Sequence, residues 1–303
     1  MKTSITTLAR PPARDVLRRA AATLAAPLAT VLIFAPTVSP SEAANHALIM
    51  TIGTYSKADA NLFGIEIDAT NAVRIAEAMG VPRSNVLRLN DRQLSAAGIR
   101  DALAGLGKRV GRGDGVFVYY SGHGTQTAGA AGKCSEGLLA YDMQVYPDSE
   151  LEQALGELSS KAGQLVMMND SCFSGGAAVK ALPVAGRKAK FYKLASATAD
   201  YQCGHALNMK FHKNIVPVAV ERGANMLYVA AAADTEIAHA TSAGSAATTA
   251  WIDCLRQASS DRDRSGGFSG TELRACAQQV LDQQRFDQHI VLEGNAQLPL
   301  AYV

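Results

Sequence analysis

Two residues of this chain have the types and settings that covalent catalysis needs. His123 lies in Tyr120-Ser121-Gly122-His123-Gly124, and Cys172 lies in Asp170-Ser171-Cys172-Phe173-Ser174-Gly175-Gly176. A thiolate is a strong nucleophile. A neighbouring imidazole can take the thiol proton and pass it to a leaving amine. The tetrahedral intermediate of such a reaction needs hydrogen-bond donors for its oxyanion, and the backbone N–H groups of Gly124 and Cys172 are candidates. A lone Cys at a strand end is ordinarily a buried apolar residue, and a lone His beside glycine is ordinarily a turn residue. The pairing of two glycine-rich loops of this composition is what points to catalysis.

The elements around these loops are expected to bring them together. Short apolar runs at 46–53, 85–90, 115–120, 164–168, 225–232 and 289–292 read as strands. Segments at 64–79, 95–106, 149–160, 247–257 and 271–283 have helical spacing. Strands alternating with helices of this length form βαβ units. The expected fold is therefore α/β, with a mostly parallel six-stranded sheet covered on both faces. His123 follows the third strand and Cys172 the fourth. Sites in such sheets form outside the carboxyl ends of neighbouring strands, and consecutive strands are usually neighbours. Glycines 122, 124, 175 and 176 are expected to let the backbone turn sharply around the two reactive residues.

The motifs YSGHG and DSCFSGG, with their His and Cys 49 positions apart, resemble those of the caspase-like cysteine peptidases in the metacaspase form, including its bacterial metacaspase and orthocaspase-like members. The resemblance runs over about residues 46–303. It includes HALIMTIG, GIEIDATNA, AAAADTEIAHA and HIVLEGN; the QAC signature of caspases is absent. It implies a caspase-like fold and a Cys172–His123 dyad, with a large-subunit region at 44–175, a basic inter-subunit loop at 176–224 and a small-subunit region at 225–303. It also implies that Asp68, Ser121 and Asp170 line the pocket for the residue before the cleaved bond. Two carboxylates in one cleft attract a cation, so the implied substrates are proteins or peptides with Arg or Lys there. Lys180, Arg187, Lys188, Lys190 and Lys193 fall in what reads as an exposed loop, where such an enzyme could cut itself. Lys213 and Pro217 carry no catalytic pattern.

Five of the 29 basic and two of the 27 acidic residues lie in the first 43 positions, which leaves a net charge of −1 beyond them. That balance offers nothing to a phosphate backbone, so no nucleic-acid partner is expected. The first 43 positions read as a signal peptide. A basic stretch ends at Arg18-Arg19, the mostly apolar run Ala20–Phe34 follows, and Ser41-Glu42-Ala43 is a small-residue cleavage site. The expected location is exported, periplasmic or secreted, with no stable membrane insertion after cleavage. Five cysteines in an oxidising compartment fit two disulfides plus one working thiol. Of the three connectivities that four cysteines allow, the pairs expected are Cys254–Cys276 and Cys134–Cys203, with the other pairings open.

Residues 261–272 (DRDRSGGFSGTE) have the layout of a twelve-residue calcium loop. Side-chain oxygens come from Asp261, Asp263, Ser265 and Glu272, and the Gly267 carbonyl completes the set. The carboxylate pair that the resemblance would place near Gly137–Asp142 for calcium activation is not reproduced, because Met143 follows Asp142. No cofactor is expected to take part in the chemistry, and calcium would act only as a structural ion. The leading expectation is an exported cysteine endopeptidase. The alternative is a calcium-binding sensor or adhesion module with an idle peptidase site. A nucleotide-binding domain is disfavoured, since no glycine-rich phosphate loop follows the first strand.

Overall fold

The computed structural model describes residues 43–128, 134–172, 185–194, 225–233 and 236–302. The proposed signal peptide up to residue 42, Lys180, Cys203, Lys213 and Pro217 lie outside them, and the expected Cys134–Cys203 pair with them.

The central sheet uses β1 (Asn45–Thr51), β2 (Val86–Asn90), β3 (Gly115–Ser121), β7 (Gln164–Asp170), β9 (Asn225–Ala230) and β13 (Val291–Gly294) in the order β13-β9-β7-β3-β1-β2. All pairings are parallel except β13 with β9. The expected α/β architecture is therefore observed. β3 shows how one strand serves both faces. Val116, Val118 and Tyr120 pack in one core, and Phe117 and Tyr119 in the other, as side chains alternate along a strand.

One core takes α2 (Ala96–Arg109) and α3 (Asp148–Ser159) through residues such as Leu103, Leu106, Leu151 and Leu155. The opposite core takes α1 (Ile65–Ala78), α4 (Ala246–Leu255) and α5 (Gly270–Gln283), with the fully buried Trp251 at its centre. Cys254 and Cys276 join α4 to α5 in a disulfide, with Cα atoms 5.9 Å apart, as expected.

The sequence reading missed the short strands. β4 (Gly124–Ala128), β5 (Cys134–Leu139) and β6 (Val145–Pro147) form a small antiparallel sheet beside the His123 loop. β8 (Arg187–Ala189), β10 (His239–Thr241) and β11 (Gly244–Ser245) form another. β12 (Gly267–Ser269) pairs with β14 (Pro299–Tyr302). Strands of two to six residues carry too little periodicity to stand out from a loop.

Candidate active site

The register of β3 against β7 builds the site. Ser121 is the Cα partner of Asp170, so His123 and Cys172 leave the sheet from adjacent strand ends two residues later. Gly122 between them is required by space. A Cβ there would stand 2.6 Å from the Tyr120 hydroxyl and 2.9 Å from that of Tyr55. The backbone bends at Gly122, and the close approach adds a second reason for glycine there; Gly175 and Gly176 lie outside the described residues.

Three bonds fix the backbone of His123. Its backbone N–H donates to the Tyr55 hydroxyl at 2.7 Å, and its carbonyl accepts from the Tyr120 hydroxyl at 2.9 Å and from Leu139 N–H at 2.9 Å. Nε2 lies 2.8 Å from the Ala60 carbonyl. A carbonyl only accepts, so Nε2 carries the proton and Nδ1 keeps its lone pair. Nδ1 is buried without a hydrogen-bond partner. The rings of Tyr55 and Tyr192 flank the imidazole at 5.2 and 5.7 Å. Burial holds its pKa down at about 3.

Cys172 is 2 % exposed and the one free cysteine among the described residues. Its sulfur accepts from Ala238 N–H at 2.7 Å and lies 3.3 Å from the Ala238 carbonyl. Burial pushes the thiol up to about 12, against the hydrogen bonds that favour its thiolate.

Asp68, Ser121 and Asp170 are brought together, and all are fully buried. Asp68 reaches the pocket from the first turn of α1, whose N-terminus is preceded by Gly64 at φ 76°. A Cβ at Gly64 would stand 2.0 Å from the Thr241 carbonyl. Only glycine lets α1 start so close to β10. Asp68 Oδ1 accepts from Ser245 N–H at 2.7 Å, and its Oδ2 accepts from the hydroxyls of Ser121 at 2.7 Å and Ser245. Asp170 Oδ2 accepts from Thr248 at 2.5 Å. Ser245 and Thr248 escaped the sequence reading, because in the run GSAATTA they look like ordinary helix-start residues.

The pocket is filled by the chain's own Lys190. This side chain is 0 % exposed, which corrects the expectation that Lys190 lies in an exposed loop. Its three ammonium protons go to Ser121 Oγ at 2.8 Å, Asp170 Oδ1 at 2.8 Å and Ser245 Oγ at 2.7 Å, with Asp68 Oδ2 at 3.8 Å. Burial still pushes the Asp68 carboxyl up, opposed by Lys190 and aided by Asp170. The backbone is as well matched. Lys190 N–H donates to the Ala238 carbonyl at 3.0 Å. The Lys190 carbonyl accepts from Gly124 N–H at 2.9 Å and from Cys172 N–H at 3.1 Å. These are the two donors expected of an oxyanion hole. On the far side, Tyr192 N–H donates to the Gly124 carbonyl at 3.1 Å and its carbonyl accepts from Thr125. Residues 187–192 therefore lie as an extended peptide between β10 and β4, with the Lys190–Phe191 bond at Cys172.

The expected calcium loop lies apart from this site. Oxygens of Asp261, Asp263 and Glu272 lie within 4.8 Å of one another. Ser265 Oγ donates to the Gly267 carbonyl at 3.4 Å. Glu272 accepts from the N–H groups of Arg262 and Asp263 at 2.8 and 3.2 Å, and from that of Ser269 at 2.9 Å. The loop is thus also closed by its own backbone. Asp142, where the resemblance called for a carboxylate pair, accepts from Ala96 N–H at 3.2 Å.

Fold and site together define a caspase-like α/β protein with the His and Cys loops of a cysteine peptidase at its sheet ends. The caspase-domain family model matches residues 44–299, and the chain belongs to that family. Over 89 residues it is 35% identical to metacaspase-7 of Arabidopsis thaliana, covering 28% of this chain and 22% of the relative. Over 114 residues it is 30% identical to metacaspase-6 of the same plant, covering 34% and 31%. The chain thus spans a third or less of these relatives' length. A structural-genomics protein from Geobacter sulfurreducens superposes with a TM-score of 0.61 at 18% identity, over 86% of this chain and 99% of its own. Caspase-1 of Spodoptera frugiperda gives 0.56 at 12%, over 86% and 93%. At such identities these likenesses speak for the fold. Among the described residues, no helix is long and apolar enough to cross a membrane.

Proposed function

We propose that this protein is a cysteine endopeptidase that cleaves after Lys or Arg and first cuts itself between Lys190 and Phe191. One observation carries the reading. Lys190 satisfies a buried carboxylate pocket with its side chain, while its carbonyl sits between the N–H groups of Gly124 and Cys172.

In this reading His123 Nδ1 takes the Cys172 proton and the sulfur attacks the carbonyl carbon. The oxygen becomes an oxyanion between the two N–H groups. Collapse breaks the C–N bond, and the imidazolium gives its proton to the departing amine. A water molecule, deprotonated by His123, then hydrolyses the thioester and restores the thiol. The Nε2 bond to Ala60 keeps the ring in place throughout.

The N-terminal basic and apolar pattern and the Cys254–Cys276 bridge support an exported protein. The loop of Asp261, Asp263, Ser265, Gly267 and Glu272 is proposed to take a calcium ion that ties α4 to α5, outside the chemistry.

Incubation with fluorogenic peptides ending in Lys, Arg or Asp, with and without calcium, tests the specificity. N-terminal sequencing of any fragment tests the cut. The expected results are turnover of Lys and Arg peptides and a fragment beginning at Phe191, both absent in Cys172→Ala. Cleavage after Asp, or turnover in that variant, would overturn the proposal.

A further inference from the structure

The same bound segment occupies a second cationic subsite. Counting back from Lys190, the fourth residue is Arg187. Its guanidinium carbon lies 3.8 Å from the centroid of the Phe286 ring. Nη1 donates to the Arg285 carbonyl and Nη2 to the Gln284 carbonyl, both at 3.1 Å. These carbonyls belong to the end of α5, where backbone acceptors lack helical partners and carry the negative end of the helix dipole. Arg285 takes the left-handed conformation, φ 58°. The reversal is locked by Phe286 N–H donating to Leu281 at 3.0 Å. It leaves two carbonyls and one ring facing β8.

The subsite is built on fixed parts. Phe286 is 9 % exposed, and its ring also meets the His239 ring, with centroids 5.6 Å apart. His239 lies on β10, the strand to which β8 is paired, opposite Ala189. One strand therefore sets the register of Lys190 in its pocket and touches the ring that receives Arg187. A flat plate with two in-line acceptors suits a planar fork of donors. An ammonium, a point charge with tetrahedral protons, cannot lie on the ring and reach both carbonyls at once.

We propose that Phe286, with the carbonyls of Gln284 and Arg285, is a specificity subsite for arginine at the fourth position before the cut. The substrates are then cationic segments of the pattern Arg-x-x-Lys or Arg-x-x-Arg. The inference rests on the reading of the Asp68–Asp170 pocket as the site of the residue before the cleaved bond.

The test uses the full-length protein and fluorogenic tetrapeptides with the sequence X-Lys-Ala-Lys, where X is Arg, Lys or norleucine. The quantity read is the ratio of kcat/KM between peptides within each protein, so any difference in folded fraction cancels. The wild type should favour Arg over norleucine by about tenfold, with Lys close to norleucine. Phe286→Leu, which keeps an apolar side chain in the core, should shrink that ratio to about twofold. Cleavage of all three peptides at similar rates, or an unchanged ratio in Phe286→Leu, would overturn the subsite and leave the peptidase reading standing. Failure to cleave any Lys- or Arg-ending peptide would overturn both.

Discussion

The Lys190 ammonium meets the Asp170 carboxylate at 2.8 Å with both side chains fully out of water. A buried pair of this kind is costly to break, because the survivor keeps its desolvation penalty without its partner. Here two carboxylates would be left. In the uncut Cys172→Ala protein, Lys190→Met should therefore lower unfolding stability by about 3 kcal/mol at neutral pH. The loss should shrink on acidification as the Asp68 carboxyl, already pushed up by burial, takes up a proton. Denaturant unfolding of the two proteins at several pH values measures it, and equal stability would show that the pair contributes nothing.

The Cys172 thiol is buried beside the segment 187–192, whose Lys190 carbonyl accepts from Cys172 N–H, and burial pushes the thiol up to about 12. The thiolate is the reactive form. In an uncut His123→Ala background, alkylation of Cys172 at pH 8 should be slow. Adding Lys190→Glu, which sets a third carboxylate against Asp68 and Asp170, should expel the segment and speed alkylation by about tenfold. Mass spectrometry of the labelled peptide gives both rates. Equal rates would mean that the segment does not control access.

The His123 imidazole is held at about 3 by burial, against an ordinary 6.5. Between those values the unfolded chain binds a proton that the folded chain refuses, so stability rises with pH across that window. The contribution is complete above about pH 6.5 and is lost as pH falls toward 3. Asp68, pushed up by burial, works in the opposite direction. In Cys172→Ala against Cys172→Ala/His123→Gln, Asp68 is present in both and cancels. The Tm difference between pH 7 and pH 4.5 should be larger in the protein that keeps His123. Identical acid sensitivity would contradict the assignment.

The Cys254–Cys276 bridge closes a loop with a sequence separation of 22. Restricting the unfolded chain by a loop of that size contributes about 3 kcal/mol. Cys254→Ser/Cys276→Ser should lose about that much stability in denaturant, and reductant should then have no further effect on α4 and α5.

Calcium at millimolar concentration should raise Tm in the wild type, through a site with Kd of about 10⁻⁴–10⁻³ M. Asp263, whose carboxylate is exposed, is the residue to change. Asp263→Ala should no longer respond, with calorimetry as the second readout. No heat of binding, or an unchanged response in the variant, would leave the loop as a backbone-closed turn.

The six strands of the central sheet and the loops that carry His123 and Cys172 were legible in the residues themselves. Apolar period and glycine-rich loops are local properties, and His123 and Cys172 each lie two residues beyond a strand that shows as an apolar run in the sequence. Asp68, Ser121 and Asp170 were recoverable through the family resemblance alone, since an acidic residue in an amphipathic helix ordinarily faces water. What only the tertiary structure decided is the company they keep. Ser245 and Lys190 lie 177 and 122 positions from Asp68, and nothing in their own neighbourhoods distinguishes them. Read along the chain, Lys190 is one of several bases in a loop. In three dimensions it is the cation that the buried carboxylates require, because burying two charges needs a partner that no local pattern specifies. Phe286 is likewise an ordinary apolar residue after a helix until β10 and β8 set Arg187 against its ring.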